Sequence, residues 1–176
     1  MCAPKNLLAL PSEAVTTDVQ AAVELTPLTG EGRPISQWTT NFHLAIVALD
    51  PYTNESSWII DTAVRILRNY AEADVRVALL VTASAEETRA YVGSLASEIL
   101  VFADADRSAV KAFGLETLPA FVHINQAHQV EASAQGWNPA EWAAVAKNLS
   151  ARMDWSVPEI PANGDPSPFA GTAVNA

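Results

Sequence analysis

The chain of 176 residues is predicted to form one α/β domain, with a mixed β-sheet flanked by helices. Apolar runs that suit buried strands recur along it, and helical patterns follow the first of them. The last two strand patterns are instead joined by a short turn, which favours an antiparallel pair. A composition of 49% apolar and 17% charged residues is sufficient for the core of a single domain.

The first part of the domain predicts a hairpin and a strand-helix unit. Residues 24–28 and 33–35 flank the turn Gly30-Glu31-Gly32, whose glycines permit positive φ. Residues 44–49 are continuously apolar, which is typical of a central strand buried on both faces. After the polar loop 50–57, the apolar spacing from Trp58 to Tyr70 predicts an amphipathic helix.

The strand-helix pattern then repeats. Residues 75–81 predict a second buried strand, and Ser84 can cap a helix that runs to about residue 97. A third strand is expected at 99–102, followed by a short helix at 106–113 that Gly114 stops. This alternation predicts parallel strand pairs joined by right-handed crossovers.

The last part of the domain is predicted to hold an antiparallel strand pair and a helix. A fourth strand at 120–124 follows Pro119 directly, and a turn at Asn125-Gln126 leads to Val130. Asn138 as N-cap and Pro139 at the first helical position then begin a helix that ends near Arg152.

The two ends of the chain lack periodicity. Residues 1–20 predict an irregular N-terminal arm, residues 21–153 the domain, and residues 154–176 a Pro-rich C-terminal tail, extended or disordered. The formal charge of −10 argues against nucleic acid as a partner and favours a partner protein with a basic surface.

The single cysteine, Cys2, excludes an intrachain disulfide and a cysteine-based metal site. The N-terminus lacks the uninterrupted apolar core of a signal peptide, and no stretch approaches the ~18 apolar residues of a membrane helix. We therefore expect a cytoplasmic protein without membrane insertion and without a cofactor or bound metal.

The order of elements resembles the redoxin branch of the thioredoxin superfamily, which includes TlpA-type thiol reductases and peroxiredoxins. The resemblance spans about residues 24–152 and depends on three segments: ELTPLTGEGRPISQW, HLAIVAL and VFADADRSAVKAFGLETLPAFVHI. It implies a thioredoxin-like sheet and a cis peptide bond before Pro119. It also implies that Leu118 faces the active site, and Gly136-Trp137 before a helix fits the pattern.

The resemblance places the family's Trp-Cys-x-x-Cys motif at residues 53–57, which read Thr-Asn-Glu-Ser-Ser. Amides and hydroxyls cannot replace a thiolate here, which argues against disulfide reductase and peroxidase activity. Asn54 and Ser57 are instead predicted to cap the helix, with Ser56 or Ser57 accepting from its free amides.

Several scattered residues could support other chemistry. Ser56 or Ser57 could form a nucleophile-base pair with His43, His123 or His128, but no nucleophile-elbow motif surrounds either serine. Asp50, Asp104 and Asp106 could bind a metal, although such aspartates are ordinarily turn and cap residues. His123 is predicted to be a core or edge residue, and Cys2 to be incidental.

The predicted function is that of a redox-inactive protein-binding, chaperone or assembly module that uses the vestigial active-site face. Two alternatives stay open: a thiol-dependent oxidoreductase or peroxidase-like enzyme with non-standard chemistry, for instance through Cys2, and an accessory subunit that docks through its tail near Phe169. Trp58 and Trp137 could equally belong to the core. The residues predicted for the face are Tyr52, Thr53, Asn54, Glu55, Ser56, Ser57, Trp58, Thr117, Leu118, Pro119 and Trp137.

Overall fold

A computed structural model describes residues 17–175. The strands are β1 (Thr17–Asp18), β2 (Glu24–Pro27), β3 (Arg33–Pro34), β4 (His43–Leu49), β5 (Val75–Val81), β6 (Leu100–Ala103), β7 (Thr117–Leu118), β8 (Ala120–Ile124), β9 (Gln129–Gln135) and β10 (Thr172–Ala173). The helices are α1 (Ile35–Trp38), α2 (Asn54–Arg68), α3 (Ala85–Val92), α4 (Ser108–Ala112) and α5 (Pro139–Met153), with a 3-10 helix at Gly93–Ser97.

Eight strands form one mixed sheet in the order β1-β9-β8-β4-β5-β6-β2-β3. Strands β4, β5 and β6 are parallel, whereas β8 runs antiparallel to both β4 and β9. The predicted mixed sheet with flanking helices is therefore confirmed. The remaining pair, β7 with β10, forms a separate two-stranded sheet.

Two apolar layers cover the sheet, one on each face. Alternate residues of β4 enter opposite layers, because successive side chains of a strand point to opposite faces. Ala45, Val47 and Leu49 belong to the layer that contains residues of α2 and α5. Leu44, Ile46 and Ala48 belong to the other layer, with Trp38 and Phe102. The central position predicted for this strand follows from its burial on both faces.

The helix caps are formed largely by the residues that the sequence indicates. The Asn138 side chain accepts hydrogen bonds from the amides of Ala140 and Glu141, with Pro139 at the start of α5. Ser84 and Glu87 form a capping box at α3. The predicted helix to residue 97 is interrupted, however, because Gly93 adopts φ of 55° and the chain continues as a 3-10 helix.

The two ends of the described chain both pack on the domain. Thr17 and Asp18, assigned to the arm by sequence, pair with β9 as an edge strand, while residues 1–16, including Cys2, lie outside the described residues. The segment 154–175, predicted as a tail, contains turns and the short strand β10, and its Asp165 forms an ion pair of 2.7 Å with Arg65 of α2. Within residues 17–175 no helix is long and apolar enough to cross a membrane.

Candidate functional site

The register of β4 with β8 brings two loops to one edge of the sheet. Ala48 lies opposite Ala120, so the loop that follows β4 and the Leu118-Pro119 turn that precedes β8 are neighbours. The peptide bond between Leu118 and Pro119 is cis. Eleven residues at this edge of the sheet are those predicted for the partner-binding face. We call this surface the loop face.

Hydrogen bonds among its own residues shape the loop after β4. The buried Ser56 hydroxyl accepts from the amide of Asp50 at 2.8 Å. The Thr53 hydroxyl donates to the Asp50 carbonyl at 3.0 Å, and the Tyr52 amide donates to the Asp50 carboxylate at 3.0 Å. The loop is therefore closed on itself by groups that have no redox chemistry.

The predicted capping of α2 by Asn54, Ser56 or Ser57 is wrong. The N-cap position belongs to Thr53, which makes no side-chain capping bond, and the helix already begins at Asn54. Ser56 cannot cap because its hydroxyl is directed back at Asp50. Ser57 and Asn54 are exposed, and Glu55, in the first turn, is half-buried.

Two aromatic side chains of the loop face are exposed. Tyr52 is 64% exposed and Trp58 is 56% exposed. The nearby Glu87 of α3 raises the pKa of the Tyr52 hydroxyl, so this ring lies close to the neighbouring helix. The open question about Trp58 is thus answered in favour of the surface.

The remaining predicted residues of the face are largely buried. Leu118 and Trp137 are each 1% exposed, Pro119 is buried, and Thr117 is half-buried. The Trp137 indole donates to the carbonyl of Pro166 at 2.8 Å, and its ring packs edge-on against Trp142. For Trp137 the core alternative is therefore the one observed.

Residues 166–175 cover this part of the loop face, and we call them the covering segment. Thr172 and Ala173 pair antiparallel with Leu118 and Thr117. Earlier in the segment, Phe169 packs edge-on against Trp58 with ring centroids 5.6 Å apart. The covering segment thus occupies part of the surface that the sequence predicts for a partner.

Arg107 is a site residue that the sequence analysis missed. It forms an ion pair of 3.2 Å with the buried Asp50 carboxylate, and it also donates to the carbonyl of Val174 in the covering segment. Its left-handed backbone, with φ of 60°, ends the turn before α4. The sequence does contain a sign of this role, because Arg107 is a lone basic residue in an acidic loop, beside Asp104 and Asp106.

The aspartates after β6 serve as turn and cap residues. The Asp104 carboxylate accepts from the amides of Ala109 and Val110, both at 3.1 Å, and burial raises its pKa. The Asp106 carboxylate accepts from the Ser108 amide, and interactions with the Ser108 side chain and amide lower its pKa. In the described range, 17–175, no group of three or more His, Cys, Asp or Glu side chains is arranged to bind a metal.

The histidines lie at the opposite end of β4 from the serines. His43 begins that strand, and its Nδ1 forms a hydrogen bond of 2.8 Å with Nε2 of His123 in β8. Six residues of strand lie between His43 and Asp50, a span of about 23 Å. His128 lies in the turn after β8. The idea of a serine-histidine pair is therefore wrong, because the fold separates the two residue types.

Comparisons with known proteins identify the fold. No protein-family model matches the chain, and no curated protein matches it. Among solved structures, a peroxiredoxin Q variant from Xanthomonas campestris has a TM-score of 0.64 at 16% identity, covering 81% of this chain and 99% of its own. A secreted disulfide oxidoreductase of Mycobacterium tuberculosis has a TM-score of 0.55 at 17% identity, covering 76% and 96%.

A third neighbour is the thioredoxin domain of a thiol-disulfide oxidoreductase from Bacteroides vulgatus, with a TM-score of 0.59 at 10% identity, covering 78% of this chain and 97% of its own. At these identities the likeness is one of fold. The resemblance to redoxins predicted from the sequence is confirmed at that level. The chain therefore has the thioredoxin-like α/β fold, and it contains one cysteine, Cys2, and no Cys-x-x-Cys pair.

Proposed function

We propose that the protein is a redox-inactive thioredoxin-like module that binds a partner protein at the loop face, in a chaperone or assembly role. Loss of redox function is supported by the sequence, since amide and hydroxyl groups occupy residues 53–57 and the one cysteine is Cys2. The loop keeps a defined shape nonetheless, through the hydrogen bonds between Asp50, Thr53 and Ser56.

One observation carries the binding role. Among residues 17–175, four large apolar side chains are exposed: Tyr52, Trp58, Trp155 and Val157. Two of the four are aromatic residues of the loop face, separated by one short loop and the first turn of α2. Exposed aromatic rings are frequent anchors of protein interfaces, because they bury much apolar area at a small cost in side-chain entropy.

The charge of the protein supports a basic partner surface. The formal net charge is −10, Glu55 lies in the first turn of α2, and Glu87 lies near the Tyr52 hydroxyl. Such a field accelerates association with a basic surface and weakens as salt is added. The cytoplasmic location stays a prediction, since one structural neighbour is a secreted protein.

The test compares two face variants with a matched aromatic control. Chemical crosslinking in native lysate, followed by quantitative mass spectrometry, would use the full chain, Tyr52→Ala, Trp58→Ala and Trp155→Ala as baits. Trp155 is also exposed but contacts Asn69, at the far end of α2, about 20 Å from the loop face. We expect the face variants to lose specific partners at least fivefold while Trp155→Ala retains them. Equal recovery with all four baits would contradict binding at this face.

A separate assay addresses the redox part of the proposal. Insulin reduction and thiol-peroxidase assays with the full chain are expected to give only the background rate. Activity above background that disappears in Cys2→Ser would overturn redox inactivity and support an enzyme that works through Cys2.

A further inference from the structure

We propose that the covering segment is a built-in ligand, and that the groove beneath it takes an extended polypeptide of a partner protein with the pattern Phe-x-Gly-x-x-Val. The segment itself carries that pattern as Phe169, Gly171 and Val174. This inference rests on the proposed function and specifies the chemistry of the partner. A partner segment of this kind binds by displacing residues 166–175.

The groove is the surface of the domain that lies under the covering segment. It holds the segment mainly by main-chain hydrogen bonds. Phe169 and Trp137 exchange two of them, at 2.9 and 3.1 Å, and the Val174 amide donates to the carbonyl of Glu116 at 2.8 Å. Between them, β10 pairs with β7. Main-chain pairing of this type accepts any extended sequence, so the selectivity must come from the side chains between the paired residues.

Two side chains of the segment enter apolar surroundings. Phe169 packs on Trp58 and joins the core layer of α2 and α5. Val174 is 1% exposed and belongs to the opposite layer, together with Leu115 and Leu118. Each site removes apolar area from water, which stabilises the bound segment. An aromatic residue and an aliphatic residue five positions later are therefore required.

The glycine between them is required by close approach of the backbones. A Cβ atom on Gly171 would lie 2.8 Å from the carbonyl oxygen of Leu118 and 3.2 Å from the Cα of Gly136. Both neighbours are main-chain atoms, so neither can move aside as a flexible side chain would. Ala170, by contrast, is exposed and can accept a larger side chain.

The segment stays tethered to the domain even when it leaves the groove. Asp165, directly before it, pairs with Arg65 and accepts from the Thr62 hydroxyl at 2.9 Å. A ligand on so short a tether has an effective concentration in the millimolar range. A free peptide must therefore compete with the built-in one, and weakening the latter should strengthen binding of the former.

The experiment uses the full chain with Gly171→Val and a fluorescent peptide of residues 166–175. Because the new side chain collides with Leu118, the segment should leave the groove and admit the peptide. We expect fluorescence anisotropy to give at least tenfold tighter peptide binding to this variant than to the unaltered chain. The full chain with Ala170→Val is the matched control and should bind the peptide as weakly as the unaltered chain.

The peptide provides a second matched pair. A peptide with the Gly171→Val change should bind the Gly171→Val chain at least tenfold more weakly than the natural peptide, and a peptide with Ala170→Val should bind within twofold. Equal affinity of the two altered peptides, or absence of binding of the natural peptide to a folded variant, would overturn the inference.

If the Gly171→Val variant does not fold, as judged by circular dichroism, the experiment uses the unaltered chain instead. Unlabelled natural peptide would then be titrated to several millimolar into ¹⁵N-labelled protein. Amide resonances of the covering segment should move toward free-peptide positions, whereas those of Thr117 and Leu118 should stay near their original positions because the bound peptide makes the same contacts. Unchanged resonances of the covering segment would refute displacement.

The two proposals can fail separately. Loss of partners in Tyr52→Ala and Trp58→Ala, together with absence of peptide binding, would leave the loop face as a partner site and reject the Phe-x-Gly-x-x-Val ligand. Failure of both measurements would reject the proposed function as well.

Discussion

A buried polar group lies next to each end of strand β4, Asp50 at one end and His123 of β8 at the other, and the two groups are stabilised in opposite ways. At its carboxyl end, the Asp50 carboxylate forms an ion pair with Arg107, whose side chain is 21% exposed against 6% for Asp50. At its amino end, His43 is bonded to the fully buried His123 of the neighbouring strand. At one end the Asp50 carboxylate is paired with a guanidinium, while at the other burial disfavours the charged imidazole of His123.

The histidine end is a neutral relay of hydrogen bonds. The Asn148 amide donates to Nδ1 of His123 at 2.8 Å, so the neutral ring carries its hydrogen on Nε2 and donates to Nδ1 of His43. Burial lowers the pKa of His123 to about 4, against the opposing attraction of Glu131. Burial also lowers the pKa of His43.

The difference shows which of the two buried polar groups is connected to the covering segment. The Arg107 guanidinium at the carboxyl end also reaches the covering segment through the Val174 carbonyl, so changes there affect both stability and occupancy of the groove. Within residues 17–175, the hydrogen bonds and ion pairs of the amino end join β4, β8, β9 and α5. Changes there should affect stability and its pH dependence alone.

The largest effect is expected from Arg107→Gln. It leaves the buried Asp50 carboxylate without its counter-charge, which should cost about 3 kcal/mol of the free energy of unfolding. Urea denaturation measures it, with Lys111→Gln on the exposed side of α4 as control. The change should also increase hydrogen exchange at the Val174 amide. Equal stability of the two variants would show that the ion pair does not hold this end.

A pH series tests the opposite end. The pKa of His123 is about 4 in the folded chain and 6.5 when unperturbed, so between these values the unfolded chain binds more protons. Stability therefore rises as pH increases from 4 to 6.5 and falls on acidification, with a contribution of up to about 3 kcal/mol.

The measurement is urea denaturation at a series of pH values, for the unaltered chain and for His123→Leu. The variant should lose this part of the pH slope, while His128→Asn, in the turn, should retain it. A slope that His123→Leu leaves unchanged would contradict burial of a neutral imidazole as its cause.

Ser56→Ala sharpens the description of the carboxyl end. It removes the acceptor of the Asp50 amide in a buried loop, and a buried amide without a partner costs about 1–2 kcal/mol. Ser57→Ala, at the exposed neighbouring position, is expected to change the free energy of unfolding by less than about 0.5 kcal/mol. Thermal unfolding of the two variants compares them, and a larger loss in Ser57→Ala would reverse the assignment.

The smallest effect is expected from Arg152→Gln. Its ion pair with Glu131 is 3.0 Å long, but the Arg152 side chain is 57% exposed, and pairs of this kind contribute about 0–1 kcal/mol. Unfolding at low and high salt should therefore show almost no difference from the unaltered chain. A loss similar to that of Arg107→Gln would mean that the amino end also depends on a charge pair.

Much of the fold could be predicted from local patterns. The apolar run of β4 predicted a central strand, and Asn138 with Pro139 predicted the start of α5, since strand burial and helix capping are properties of adjacent residues. The capping of α2 was mispredicted because Ser56 has two possible partners, the helix amides and Asp50. Only the folded loop brings Asp50 within reach of its hydroxyl.

The candidate site was predicted in part. The sequence indicated the loop at residues 50–58 and the Leu118-Pro119 turn, and the register of β4 with β8 brings them together. It gave no sign that Leu118 and Trp137 would be covered, because the covering residues are about 30–55 positions away in the chain and have no periodic pattern.

The amino-acid sequence alone determined the alternation of strands and helices and the lack of a dithiol, because both follow from residue types at fixed spacing. The tertiary structure decided which surfaces stay open. Arg107 contacts both Asp50 and Val174, and the segment around Gly171 fills the groove. Both arrangements form because contacts between distant parts of the chain remove the apolar and main-chain groups of those parts from water.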